Sequence, residues 1–149
     1  MNKEELFDFH IRNNWFKISR YYNQLASQFD TTFSWGFIIL HVEKEGTPST
    51  SLGPKMGMES TSLSRTLKKM EEDGIITRKP DKTDKRKSMV FLTSKGVEMR
   101  KEVRDVVFDF NKKIYDRISS EELKSFFNTM NNVDEIVSEL LESQNEPTN

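Results

Sequence analysis

The twenty residues from Gly74 to Thr93, GIITRKPDKTDKRKSMVFLT, constrain the fold of this chain more than any other stretch. Two β-prone runs, Ile75 to Lys79 and Lys87 to Leu92, flank a polar segment, Pro80 to Arg86. That pattern predicts a β-hairpin whose tip is too long for a two-residue turn. Lys82, Lys85 and Arg86 gather at the tip. A ribbon ending in cations suits probing a nucleic-acid groove or clamping a phosphate. It is also compatible with a plain surface hairpin, so the preceding residues decide between the two.

Those residues predict two short helices. Ser49 is the expected cap of the first, Thr50 to Met56, which Gly57 ends. The second runs from Ser60 to Asp73, with Gly74 as its stop. Leu63, Leu67 and Met70 form a stripe at i, i+4, i+7. Thr61, Arg65 and Lys68 fall on the other face, flanked by Ser62, Ser64 and Lys69. Short hydroxyls allow close approach to a major groove, and an arginine can bond two acceptors on one guanine edge. Two short helices followed by a basic hairpin make a winged helix-turn-helix.

Long helices are expected on both sides. From Glu4 to Phe29, the residues Ile11, Trp15, Ile18, Tyr22, Leu25 and Phe29 recur at steps of 4, 3, 4, 3, 4, a heptad seam. Leu6, Phe7, Phe9, Phe16 and Tyr21 widen it. Ser34 is the expected cap of a helix over Trp35 to Glu45, ended by Gly46, after which Thr47-Pro48 breaks the chain. Thr93 is the expected cap of a helix reaching Ile118. Ser119-Ser120-Glu121-Glu122 then reads as a capping box opening a last helix to Glu142. The overall class is mainly α with a small β-wing. Only 34% of the 149 residues are hydrophobic. A low apolar content beside such broad apolar stripes points to an elongated helical protein, a core shared with a second subunit, or both. The organisation expected is a single domain: dimerisation helices at 1–33 and 97–143, a winged helix-turn-helix lobe at 34–96, and a disordered polar tail at 144–149.

Charge is polarised along the chain. Gly46 to Gly96 holds 11 Lys and Arg against 6 Asp and Glu, and the remainder holds 12 against 18. A basic middle between acidic flanks suits a segment that meets a polyanion. There are no cysteines, which excludes disulfides, thiolate metal sites and thiol redox sensing. The first residues carry charges rather than an apolar run, so no secretory signal is expected, and no apolar segment approaches the ~18 residues of a membrane span. A cytoplasmic protein without membrane partners fits. The two histidines, His10 and His41, lack tight ligand spacing, so no metal or other cofactor is expected. No nucleophile–base arrangement, glycine-rich phosphate loop or carboxylate pair stands out, so no enzyme is expected.

The run SLSRTLKKMEEDGIITRKPDKTDKRKSMVFLTSKG resembles the signature of the MarR family of bacterial transcription regulators. Its specific part is Arg65, Gly74, Arg78, Asp84-x-Arg86 and Leu92-Thr93-x-x-Gly96. The resemblance implies a homodimer that binds a pseudo-palindromic operator in double-stranded DNA, usually represses, and usually loses affinity on binding a ligand or receiving another signal. It places Ser60, Thr61, Ser62, Ser64, Arg65, Lys68 and Lys69 on the major-groove helix. Arg78, Lys82, Asp84, Lys85 and Arg86 fall in the wing, with Arg86 matching the arginine that enters the adjacent minor groove. Asp84 matches an acid that orients the wing by bracing Arg65 or Arg86. An effector pocket is implied around Trp15, Phe16, Tyr22, Trp35, Phe37 and His41, suited to a small aromatic or acyl ligand; the same aromatics also read as core and interface packing. An interaction module without DNA binding is the other functional reading. The chain departs from the family pattern at Pro54, which predicts a kinked or late-starting first helix.

Overall fold

The computed structural model describes residues 2–145. In chain order, a 3-10 turn at Lys3–Glu5 precedes α1 (Phe7–Ala26), α2 (Phe33–His41), β1 (Thr47–Pro48), α3 (Ser49–Met56), α4 (Ser60–Glu72), β2 (Ile76–Pro80), β3 (Ser88–Leu92), α5 (Ser94–Tyr115) and α6 (Ser120–Asn145). The chain divides into two compact units between Asp105 and Val106, a point inside α5. The polar residues 146–149 lie outside the described residues.

The first unit is built around one apolar core. Ile38, Ile39 and Val42 follow α2, Leu52 comes from α3, and Leu63, Leu67 and Met70 form the inner stripe of α4. Ile75, Ile76 and Val90 bring in the sheet, and Trp35 lies in the same cluster. Each aliphatic side chain buried this way contributes roughly 1.5–3 kcal/mol relative to exposure. The sheet is antiparallel with order β1-β3-β2. Ile76 pairs with Leu92, Arg78 with Val90 and Pro80 with Ser88. The short β1 adds Thr47 opposite Val90 and Pro48 opposite Met89.

Glycines set three of the turns. Gly57 and Gly74 adopt left-handed backbone at φ 59° and 72°, shortly after α3 and α4, where a side chain is disfavoured. Gly46, at φ 92°, sits so close to the Phe91 ring that any Cβ would collide with it. Thr93 opens α5: its hydroxyl donates to the Gly74 carbonyl at 2.6 Å and accepts the Gly96 N–H at 3.1 Å. Arg100 then ties α5 to α2. Its Nε and Nη2 donate to the Ile39 carbonyl at 2.9 and 2.7 Å, and Nη2 also donates to the Val42 carbonyl. The guanidinium thereby satisfies carbonyls that the end of a helix leaves open.

The second unit contains the end of α5 and all of α6. Its connecting turn is the capping box expected from sequence: Glu122 accepts the Ser119 N–H at 3.1 Å, while the Ser119 hydroxyl accepts the Glu122 N–H at 3.3 Å. The hydroxyl also donates to Glu122 at 2.6 Å, which holds that carboxyl below its ordinary pKa.

Several boundaries differ from the sequence reading. The first long helix stops at Ala26, and a 3-10 turn at Ser27–Phe29 carries the chain to Asp30, whose left-handed backbone (φ 54°) turns it away. The next helix starts at Phe33 with Thr32 before it, so Ser34 is inside the helix rather than its cap, and it ends at His41 rather than Glu45. Thr47-Pro48 breaks the helix but also pairs with β3; proline is accepted on that edge because it need donate no ladder bond. Ser49 is the first residue of α3 rather than its cap. Pro54 does not delay that helix, which runs unbroken from Ser49, with the Gly57 N–H bonded to the Gly53 and Pro54 carbonyls. The helix after the wing ends at Tyr115, three residues before Ile118. The last helix extends through Asn145, so residues 144 and 145 of the expected tail are helical; the preceding Ser143 hydroxyl donates to the Leu140 carbonyl.

Candidate nucleic-acid interface

The α4 helix splits cleanly into two faces. Leu63, Leu67 and Met70 are buried, whereas Ser60, Thr61, Ser62, Ser64, Arg65, Lys68 and Lys69 are exposed. Lys68 reaches Glu72 at 3.8 Å, a weak surface pair that leaves its ammonium available. The hydroxyls stand in the first turn and the cations follow, as the sequence predicts.

The wing tip is a closed loop rather than a slack one. Asp81 N–H donates to the Lys87 carbonyl at 2.9 Å, and Lys87 N–H donates to the Asp84 carbonyl at 2.9 Å. Asp81 Oδ1 accepts the Thr83 hydroxyl at 2.6 Å, the Asp84 N–H at 2.8 Å and the Thr83 N–H at 2.9 Å. These donors, the hydroxyl first, lower the Asp81 carboxyl to a pKa of about 2. Asp84 Oδ1 in turn accepts from Arg86 N–H at 3.1 Å and Arg86 Nε at 3.2 Å. Its ion-pair partner is therefore Arg86 and not Arg65. The Arg86 side chain is otherwise in solvent, 92% exposed.

Arg78 differs from the other wing cations. Its Nη2 and Nε donate to Glu71 Oε2 at 2.6 and 3.0 Å, and its backbone N–H donates to Glu71 Oε1 at 3.1 Å. This fork joins the last turn of α4 to β2, and the Arg78 bond is the main reason the Glu71 carboxyl titrates below its ordinary value. Beside it lies a shallow cleft of about 300 Å³ lined by Arg78, Lys79, Lys85, Arg86 and Lys87 with Glu71. Five cations to one acid make it strongly electropositive. Lys82, at the tip, is exposed.

The aromatic candidates separate. Phe33 is the hub: Tyr22 stacks on it at 5.5 Å, while Trp15 and Phe37 meet it edge-on at 5.8 and 6.0 Å. His41 stacks on Phe37 at 4.2 Å, and its Nδ1 donates to the Phe37 carbonyl. Partial burial raises the Tyr22 hydroxyl pKa. Trp35 belongs to the core, and Phe16 is 67% exposed, outside this ring chain. His10 Nε2 donates to the Glu4 carbonyl at 2.7 Å, which directs the ring to its own helix start. Among the described residues, no three His, Cys, Asp or Glu cluster as a metal site, and no helix is long and apolar enough to cross a membrane.

Three contributors escape the sequence reading: Asp81, Glu71 and Phe33. The first carries a local signal, since an Asp two residues before a Thr in a turn is a capping pattern. Glu71 carries none, because its partner lies beyond the Gly74 turn. Phe33 sits before the expected helix start at Trp35, where spacing marks it as loop.

The model of the MarR family matches residues 38–88, from inside α2 through α3, α4 and β2 to the first residue of β3. The HTH-type transcriptional regulator SarZ of Staphylococcus saprophyticus is 24% identical over 122 residues, 81% of this chain and 80% of that protein. Among solved structures, the S. aureus MepR–DNA complex aligns with a TM-score of 0.75 at 18% identity, covering 91% of this chain and 98% of the other. CouR of Rhodococcus jostii RHA1, bound to p-coumaroyl-CoA, aligns at 0.78 with 14% identity over 89% and 94% of the two chains.

Proposed function

We propose, from the premise that this chain belongs to the MarR family, that it regulates transcription as a homodimer on a pseudo-palindromic operator. The observation that carries the reading is the pairing of a polar, solvent-facing α4 with a preformed cationic wing tip in one unit. The helix supplies hydroxyls and Arg65 to base edges in a major groove, with Lys68 and Lys69 on phosphates. The exposed Arg86 guanidinium suits the negative potential of a narrow, A·T-rich minor groove, and Lys82 and Lys85 suit its phosphate rims. Arg78, held by Glu71, sets the angle between α4 and the wing instead of reaching the duplex. MepR, whose fold this chain shares, was solved in complex with DNA, which supports the same reading.

The dimer is supported by what the long helices leave uncovered. No residue of α1 is buried, with Phe7 and Trp15 about half exposed. On α6, Phe126, Phe127, Ile136, Val137 and Leu140 are each 46–57% exposed. Apolar faces of that breadth mark an interface. A two-fold dimer places its recognition helices about one DNA turn apart, on the order of 34 Å. Repression, a cytoplasmic location and an aromatic or acyl effector complete the proposal. The ring chain from Trp15 to His41 and the acyl-CoA in the CouR structure support the effector. Ligand would favour a dimer whose helices are wrongly spaced, and DNA affinity would fall by that difference in binding energy.

The test is selection of bound sequences from a random duplex pool, followed by affinity measurement across salt. Paired half-sites one turn apart and a steep salt slope are expected. Absence of any salt-sensitive, sequence-preferring complex would leave the interaction-module reading in its place.

A further inference from the structure

We propose that Asp81 is a positioning residue for DNA binding: it folds the wing tip before a duplex arrives, so that Arg86 is presented ready-made. This rests on the DNA-binding reading above and deepens it. The dependence runs in order along the loop. Asp81 Oδ1 gathers the Thr83 hydroxyl, the Thr83 N–H and the Asp84 N–H, which fixes the backbone of Asp84. The Asp84 carboxylate then holds both the N–H and the Nε of Arg86. The two backbone bonds among Asp81, Asp84 and Lys87 close the loop behind them. Asp81 acts on Arg86 only through Asp84, yet Arg86 has no fixed platform without it.

An acid at this place is unfavourable on charge alone. It stands at the end of a ribbon that carries Lys82, Lys85, Arg86 and Lys87, where a duplex would bring phosphates. Its repulsion must be outweighed by what it builds. What it builds is order: a seven-residue tip (81–87) that is already folded does not lose that freedom when it binds. The carboxyl stays ionised far below neutral pH, so the staple is complete under all ordinary conditions.

Two substitutions separate order from charge. Asn offers the same acceptor oxygen without the charge, and it is at home in turns of this kind; Ala offers neither. Asp81→Asn should bind operator DNA at least as tightly as the unaltered protein. Asp81→Ala should bind on the order of 10-fold more weakly, at an unchanged melting temperature. If both variants bind more tightly and to the same extent, Asp81 acts only by repulsion and the proposal falls. Amide hydrogen exchange without DNA gives a second readout. Thr83 and Asp84 amides should be protected in the unaltered protein and in Asp81→Asn, and fast in Asp81→Ala. Equal protection in all three overturns the staple whatever the affinities. Should the unaltered protein show no salt-sensitive duplex binding, the functional reading fails too, and that result is distinct from Ala and Asn behaving alike.

Discussion

Two arginines of one hairpin, Arg78 and Arg86, have opposite fates. Arg78 commits its guanidinium to Glu71, while Arg86 keeps most of its surface in solvent. Sequence alone groups them as cations of one ribbon; the partner of Arg78 lies across a turn, where no local spacing announces it. Arg86→Ala should therefore weaken operator binding and lower the salt slope by about one unit for each phosphate-like interaction removed. Salt-dependent affinity measurements check this, and an unchanged slope refutes the assignment. Asp81 gives a second residue-scale test. Its carboxyl should titrate near pH 2 in the folded protein, against the ordinary 3.8, when followed by NMR. The sign is that of a depressed acid: the bonds contribute fully above that ordinary value and are lost as pH falls toward about 2. Wing order should thus be indifferent to pH anywhere between about 5 and 8, and amide exchange at Thr83 and Asp84, corrected for its intrinsic pH dependence, measures it.

At the scale of elements, the legible parts were those written in local code. The stripe of α4, the glycines that follow α3 and α4, the threonine opening α5 and the Ser119–Glu122 box all obey short-range rules. The parts that were not legible depend on distant chain. The strand character of Thr47-Pro48 exists only because β3 lies beside it, and Phe33 opens α2 with its N–H donating to Asn23 Oδ1, ten residues back, and its ring against Tyr22 and Trp15. Pro54 predicts a disturbed α3, yet the helix is continuous. Gly96 shows the same dependence on distant residues. A Cβ there would run into the Ile75 carbonyl, so the first turn of α5 packs directly on the backbone that leads into β2. Gly96→Ala should cost about 1–3 kcal/mol by forced displacement of that turn, measured as a lower midpoint in urea unfolding. A variant as stable as the original would show that the contact yields freely.

For the whole molecule, the decisive quantity is association. The sequence signals an apolar deficit beside broad apolar stripes, and in the structure Phe7 and Trp15 of α1 and Phe126, Phe127 and Leu140 of α6 each stay about half exposed. The class, mainly helical with a small wing, was legible for this reason: heptad spacing and one hairpin both survive translation from sequence to structure. The aromatic site was only half legible, since helical spacing cannot tell a ring in the core, such as Trp35, from one at an edge, such as Phe16. A dimer predicts sedimentation at twice the chain mass of 17.5 kDa at micromolar concentration. It also predicts a melting temperature that rises with protein concentration, by mass action. A lone subunit whose melting is independent of concentration would remove the basis for paired half-sites.

The smallest strand carries an outsized mechanical consequence. Thr47 and Pro48 pair with Val90 and Met89 of β3, and Ser49 immediately begins α3. The ribbon and the helix pair thus share a hinge pin. A duplex that held the ribbon's end would therefore bear on the start of α3 through these two residue pairs.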